Sequence, residues 1–202
     1  MTGADVKAKF ETYIDEVGSG YIDDTRLNTL FFKADNNLVT KAVNKYGLTN
    51  EITREMMPLI LEANGLTPVA SVIDISQTSV QVPNYYSIIL VTITTPFMGA
   101  PLTVVADEKP FNEFTSNYAT GTARYPKYWF TADSLNLEPS NITTADIVYF
   151  RKAIQIDVTD AVTPVPYNEE YVLNLISYVI DDAGFMGRDQ FLMMASQIDR
   201  TQ

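Results

Sequence analysis

The side chains that most often carry out catalysis are missing from this sequence. It contains no cysteine and no histidine, which excludes thiolate nucleophiles, imidazole bases and zinc sites built from those residues. Adjacent carboxylates occur at Asp23-Asp24 and at Asp181-Asp182. Both pairs stand where helix ends are predicted, so capping and solvation explain them better than acid–base catalysis. We therefore expect no enzymatic activity and no bound cofactor or metal.

A second group of residues is suited to binding. Aromatic side chains cluster beside Arg124 and Lys127, where they could stack on sugars or bases, or pack in a core or a protein interface. An arginine after a later strand could meet phosphate or stay solvated, and paired methionines could form an adaptable partner surface or fill the core. The candidate protein-interface residues are Tyr125, Tyr128, Trp129, Phe130, Arg151, Met193 and Met194.

Composition limits the classes of partner. The net charge is −11 and the sequence pI is near 4.3, which argues against a protein that neutralises nucleic-acid phosphates over a broad basic face. The first residues lack the apolar run of a secretory signal, and no apolar stretch approaches the ~20 residues of a membrane-spanning helix. We expect a protein that is neither secreted by that route nor inserted in a membrane.

Apolar residues at helical spacing predict a helical bundle over residues 1–66. A first helix, with the stripe Val6, Phe10, Ile14 and Val17, is predicted to end at residues 18–20. A second is predicted from Asp23-Asp24 to Gly47, with the acidic pair at its N-terminus and the glycine as its stop. A third is predicted over residues 53–64, with Pro58 in its first turn or at a kink.

β-branched and aromatic residues dominate residues 67–160, and proline, glycine and asparagine punctuate them as turns. The predicted strands cover residues 69–75, 85–95, 102–106, 125–131, 134–137 and 146–158. Residues 161–202 return to helix, first with Asn168 as cap and then with the stripe Val172, Leu175, Ile176 and Val179. A last helix would place Phe191, Met194, Ala195 and Ile198 on one side. This order predicts a single α+β domain, 1–202, with mainly antiparallel strands.

Four motifs between residues 125 and 180 carry a resemblance to a known family. They are YPKYWF at 125–130, LNLEP at 135–139, DIVYFRK at 146–152 and PYNEE at 166–170, which is followed by an apolar helix. The segment resembles the head-to-tail adaptor, or connector ring, proteins of tailed bacteriophages, most closely those of short-tailed, crAss-like phages. Two departures stand out: Ala153 replaces the family's proline, and the closing helix starts without a histidine.

The resemblance implies a non-enzymatic virion component, made in the host cytoplasm. It implies a homo-oligomeric ring, of twelve subunits, in the phage neck, where it joins the portal protein to neighbouring neck and tail proteins. DNA would pass through the lumen during genome ejection without specific binding, and an acidic lumen would let it slide.

Three alternatives remain beside this reading. The chain could be another structural protein of the phage neck or tail. It could be a monomeric or dimeric module that binds carbohydrate or peptide through the aromatic residues at 125–130. It could also be an enzyme that works with two carboxylates alone, as glycosidases do.

Overall fold

The structure is a computed structural model that describes residues 1–14, 22–76, 78–109 and 120–183. Helices lie at the N-terminal and C-terminal ends, and two mostly antiparallel sheets lie between them, so the predicted α+β class is confirmed. The chain divides into two compact units. We call Met1–Pro58 with Ala153–Gln202 the helical unit, and Leu59–Lys152 the sheet unit.

Three α-helices and one 3-10 helix are described. They are α1 (Gly3–Tyr13), α2 (Asp24–Thr49), the 3-10 helix Arg54–Leu59, and α3 (Glu169–Ala183). Each α-helix begins at a capping side chain, because the first backbone N–H groups of a helix have no partner within it. Thr2 and Asp5 form a capping box on α1, Asp23 accepts from the backbone N–H of Arg26, and Asn168 accepts from that of Tyr171.

The helical unit is held together by the apolar stripes that the sequence predicts. Phe10 of α1 meets Phe31 of α2 edge to face, with ring centroids 5.9 Å apart. Helices α2 and α3 pack against each other, and the predicted stripe of α3 is fully buried. The helical unit therefore has an apolar core of its own, and the α3 prediction is confirmed.

Three helix predictions are wrong. Helix α1 ends at Tyr13, and Ile14, which belongs to the predicted stripe, has an extended backbone (φ −96°, ψ 141°). Helix α2 continues past Gly47 to Thr49, and Asn50 ends it in the left-handed conformation (φ 53°), which asparagine tolerates better than most residues.

The helix predicted over 53–64 is only a 3-10 turn, and the chain then forms a strand. Pro58 has no backbone N–H to donate within a helix, and residues 60–66 pair antiparallel with residues 145–150 instead.

In the part of the chain that the structure describes, eight strands form two four-stranded sheets. They are β1 (Ile60–Leu66), β2 (Val72–Asp74), β3 (Tyr85–Phe97), β4 (Ala100–Val105), β5 (Asp107–Glu108), β6 (Lys127–Thr131), β7 (Ser134–Glu138) and β8 (Thr144–Arg151). The first sheet has the order β1-β8-β3-β4 and is antiparallel throughout. The second has the order β2-β7-β6-β5, in which β5 and β6 run parallel.

The core of the sheet unit is built from both sheets. Buried side chains alternate along the central strands, as period-2 geometry requires. The cluster includes Val91 and Ile93 of β3, Ile147 of β8 and Leu135 of β7. Tyr149 lies in the same cluster and donates its hydroxyl to the backbone oxygen of Pro83 at 2.9 Å.

The strand predictions succeed in position and fail at some ends. The strand predicted over 146–158 is β8, which begins two residues earlier and stops at Arg151. After Lys152 the backbone leaves the ladder because other acceptors take its N–H groups: Asp35 accepts from Ile154, and Asn28 accepts from Val158. Strands β1 and β5 are not predicted by the pattern, since residues 60–66 contain helix-forming types and β5 has only two residues.

Several predicted features lie outside the described residues. These are Val17, the stop at 18–20, the last helix with Phe191, Met194, Ala195 and Ile198, and the candidate residue Met193. Within the part of the chain that the structure describes, none of the helices has both the length and the hydropathy to span a membrane.

Candidate interaction surface

The structure separates the predicted aromatic group into three environments. Strand β6 alternates, so Tyr128 and Phe130 share one face, with ring centroids 5.8 Å apart, against the core of the sheet unit. Trp129 points to the opposite face. Tyr125 precedes the strand in a turn closed by Thr122 and is 73 % exposed. Of this group, Tyr125 is therefore the residue most open to a partner.

Trp129 is engaged by a buried ion pair that sequence reasoning missed. Lys109 is 5 % exposed, and its ammonium group lies 5.2 Å from the centre of the Trp129 ring and 3.5 Å from the Glu138 carboxylate. The backbone N–H of Gly121 donates to the same carboxylate at 2.7 Å. Lysines are rarely buried, so nothing in the local pattern marks Lys109 as the residue that ties β5 to β7.

Arg151 lies at the end of β8 and is 2 % exposed. Its guanidinium donates to the backbone oxygen of Lys152 at 2.8 Å, and the Lys152 N–H donates to the backbone oxygen of Asn84 at 2.6 Å. The sequence suggests a solvated or phosphate-binding arginine here, whereas the side chain is enclosed. Arg151 therefore helps to fix the backbone at the point where the sheet unit ends.

One buried carboxylate lies inside the helical unit. Asp35 accepts hydrogen bonds from the hydroxyls of Tyr167 at 2.9 Å and Tyr171 at 2.5 Å, and from the backbone N–H of Ile154 at 2.8 Å. These donors come from α3 and from the segment before it, so Asp35 joins both to α2. The sequence offers one signal for this site: Asp35 stands four residues after Phe31 and so lies on the same buried face of α2. A carboxylate on a buried face needs hydrogen-bond donors of this kind.

The two adjacent carboxylate pairs of the sequence lie at helix ends. Asp23 caps α2, and Asp181 is exposed in the last turn of α3. In the described residues there is no group of three or more side chains of the types that hold a metal ion.

The most unusual surface belongs to an uncharged stretch of the sheet unit. Residues 75–106 contain no Asp, Glu, Lys or Arg, although 39 such residues occur among the 202 of the chain. The stretch includes the whole β3–β4 hairpin. Its exposed large apolar side chains are Val80, Tyr86, Leu90, Met98 and Val105. Exposed apolar side chains in a stretch without charge are typical of protein contact regions.

The edge strand of this hairpin is protected less than the other edges, since Pro101 is its one protective feature. Strand β1 carries Glu62 and a register irregularity after Ala63, β2 has three residues and ends at Asp74, and β5 consists of Asp107 and Glu108. Charges, irregularities and short length are how proteins keep edge strands from pairing. Strand β4 has six residues and no charge.

The backbone groups that β4 turns outward follow from its register. The Ala106 N–H donates to the Val91 oxygen at 2.8 Å, so every second residue before Ala106 faces β3 and the residues between them, Thr103 and Val105, face away. Pro101 lies on the outward side, where its missing N–H removes one donor. The edge therefore keeps the outward donors of two residues.

The tip of the hairpin combines exposure with an unfavourable backbone. Met98 (φ 50°) and Gly99 (φ 84°) form the two-residue turn, and both have the positive φ of a type I′ turn. Glycine adopts this conformation freely, but methionine does not. Met98 is nevertheless 88 % exposed. Arg124 lies over the Phe97 ring at 5.0 Å and fixes the turn before β6, with Tyr125, beside this tip.

The helical unit has a small cavity of about 210 Å³ at its surface. Its walls include the side chains of Met57, Pro58 and Tyr171, the amide of Asn174, and an ion pair of Arg54 with Glu170 at 3.0 Å. The volume is below the roughly 300–1,000 Å³ of typical small-molecule sites. A cavity of this size suits one inserted side chain better than a metabolite.

No protein-family model matches this chain, and no curated protein matches it in sequence.

Proposed function

We propose that this chain is a non-enzymatic structural subunit that works by covering its surfaces with copies of itself and with neighbouring proteins, as a connector ring in the neck of a tailed phage. The observation that carries the proposal is the uncharged stretch 75–106, with its exposed apolar side chains and its uncharged edge strand β4. In a free monomer such a surface favours non-specific association, whereas in an assembly a partner covers it.

The charge of the chain supports an assembly through this stretch. Copies with a net charge of −11 repel one another, so a contact forms most easily where few carboxylates face each other. The uncharged hairpin is such a place. The partners expected from the resemblance are further copies in a ring of twelve, the portal protein and other neck or tail proteins.

The same charge bears on how DNA would behave in such a ring. A protein that retains duplex DNA supplies Lys and Arg to the phosphates, whereas this chain has 25 acidic and 14 basic residues. A lumen lined by such a chain would let the genome slide through during ejection, without specific binding.

The experiment that tests the proposal is a measurement of assembly. Size-exclusion chromatography with light scattering, followed by negative-stain electron microscopy, should show closed rings of one size, either for the chain alone or after co-expression with a portal protein of a crAss-like phage. A chain that remains monomeric in both preparations, at every concentration tested, contradicts the proposal. Binding to a glycan array that is lost in the variant Trp129→Ala would instead favour the carbohydrate-binding alternative.

A further inference from the structure

The β3–β4 hairpin carries an exposed apolar side chain at its tip, and the helical unit has a surface cavity of about 210 Å³. The hairpin presents one exposed apolar side chain, Met98, on a narrow turn. The cavity is lined by Met57, Pro58 and Tyr171 and by polar and charged side chains, among them Glu55 and the ion pair of Arg54 with Glu170. We propose that in the assembled ring the hairpin tip of one copy inserts Met98 into this cavity on the helical unit of the next copy. The inference rests on the proposed function, since it assumes a ring of copies.

Ring symmetry requires two different surfaces on each subunit. A contact that uses the same surface on both partners closes a twofold dimer, whereas a ring needs a head-to-tail contact between unlike surfaces. The hairpin tip is a projecting, neutral surface and the cavity is a concave one, and they belong to different units of the chain. They can therefore serve as the two unlike surfaces of one ring contact.

The conformation of Met98 supports its role as the inserted side chain. A left-handed backbone is unfavourable for a non-glycine residue, and asparagine or glycine would avoid much of that strain at this turn position. An exposed methionine also gains nothing from burial in the monomer. A strained conformation that brings no local benefit is a reason to look for a contact outside the subunit. Methionine is well suited to it, because its flexible side chain fills irregular cavities.

The distribution of charge between the two units also favours contact of the hairpin of one copy with the helical unit of the next. The helical unit has 17 acidic and 9 basic residues, a net charge of −8, and the sheet unit has 8 acidic and 5 basic, a net charge of −3. Placing the neutral hairpin of one copy on the helical unit of the next avoids the repulsion of two acidic units. Arg124, held beside the tip by Phe97, would then approach Glu170. The ion pair of Glu170 with Arg54 is exposed and contributes little to the stability of the fold. The Glu170 carboxylate can therefore also bind a second cationic side chain.

Cysteine pairing between different chains tests the contact directly, because the chain has no cysteine of its own. One preparation carries Met98→Cys, and a second, with a larger tag, carries Asn174→Cys at the cavity. The two are mixed, assembled and treated with a short bis-maleimide crosslinker. The proposal predicts a product that joins one chain of each kind. The matched control replaces Met98→Cys with Leu48→Cys, which is also at an 88 % exposed apolar residue and should give no such product.

Each outcome separates this contact from the function that it assumes. Rings that form without the mixed product, or with no more of it than the Leu48 control gives, overturn the contact and leave the ring intact. A product that joins two Met98→Cys chains overturns it in favour of a twofold pairing through the β4 edges. The absence of any ring, in the preparations described above, contradicts the proposed function itself.

Discussion

At the scale of single residues, Asp35 is the polar centre of the helical unit. Replacing Asp35 with alanine leaves two tyrosine hydroxyls and the Ile154 N–H without their acceptor. Removing one partner of a buried hydrogen bond typically costs about 1–3 kcal/mol, so we expect the free energy of unfolding to fall by about 3 kcal/mol or more. Urea unfolding followed by circular dichroism measures this. Asp181→Ala, at an exposed carboxylate of α3, is the control and should change stability by no more than about 0.5 kcal/mol.

Two glycines of the helical unit provide a matched pair. A Cβ on Gly3 would lie 1.8 Å from the backbone oxygen of Asp157, whereas a Cβ on Gly47 would meet nothing within 4 Å. Gly3→Ala should therefore separate α1 from the 157–160 turn and destabilise by about 1–3 kcal/mol or more. Gly47→Ala lies inside α2 and should stabilise by roughly 0.5–1 kcal/mol. Thermal unfolding compares them, and equal effects of the two substitutions would contradict the close approach at Gly3.

The candidate residues show where sequence reasoning reaches its limit at this scale. The aromatic group was found because its residue types are conspicuous, but its division into buried Tyr128, engaged Trp129 and open Tyr125 follows from the register of β6 and from Lys109. Lys109 and Met98 were missed for a common reason. A lysine is ordinarily solvated and a methionine ordinarily buried, so only the fold reveals that each is in the opposite place.

At the scale of elements, the helices were predictable where local signals agree. Asp23 and Asn168 cap helices at the predicted positions, and the apolar stripe of α3 is buried. The failure at residues 60–66 has a non-local cause. Helix-forming residue types there pair with β8, which is distant in sequence, and tertiary pairing overrides local propensity. Strand pairing and the exposed edge of β4 could not be derived for the same reason.

The hairpin turn allows stability and assembly to be separated. Met98→Asn keeps the turn and introduces a residue that tolerates positive φ, so we expect the monomer to gain up to about 1 kcal/mol of stability. The same change removes the apolar side chain that the proposed contact needs, so assembly should weaken. Thermal unfolding and light scattering on one preparation measure both. A variant that assembles as well as the wild type would count against the role of the hairpin tip.

At the scale of the whole molecule, the two units should respond to opposite extremes of pH. Four carboxylates of the helical unit have a lowered pKa, each because a hydrogen bond or a nearby charge favours the ionised form. The main partners are Thr2 for Asp5, Thr159 for Asp157, Thr163 for Asp160, and Lys9 for Glu169. A lowered pKa stabilises the fold above the unfolded-state value, about 4 for these groups, and that stability is lost as the pH falls through the folded value.

Two tyrosines of the sheet unit have a pKa that is shifted upward instead of downward. Burial raises the pKa of Tyr85 and of Tyr149 above the usual value of about 10. A raised pKa stabilises the fold below the unfolded-state value, and this stability is lost as the pH rises beyond it. Circular dichroism at 222 nm follows the helices, and fluorescence follows the sheet unit, where Trp129 is the chain's one tryptophan. We expect the helical signal to respond first below about pH 4 and the fluorescence first above about pH 10; the reverse order would contradict this assignment.

The central claim is that the chain works through surfaces that other copies cover, and the mass of the particle in solution tests it most directly. Native mass spectrometry should be performed on the wild type, on Met98→Asp and on Leu48→Asp, whose target side chains are equally exposed. The account predicts a closed oligomer of a single size, twelve subunits, for the wild type and for Leu48→Asp. It predicts smaller species for Met98→Asp, because the change replaces the apolar side chain of the proposed contact with a charge that is costly to bury. A wild-type chain that stays monomeric even beside a portal protein, or a Met98→Asp chain that assembles fully, would contradict it.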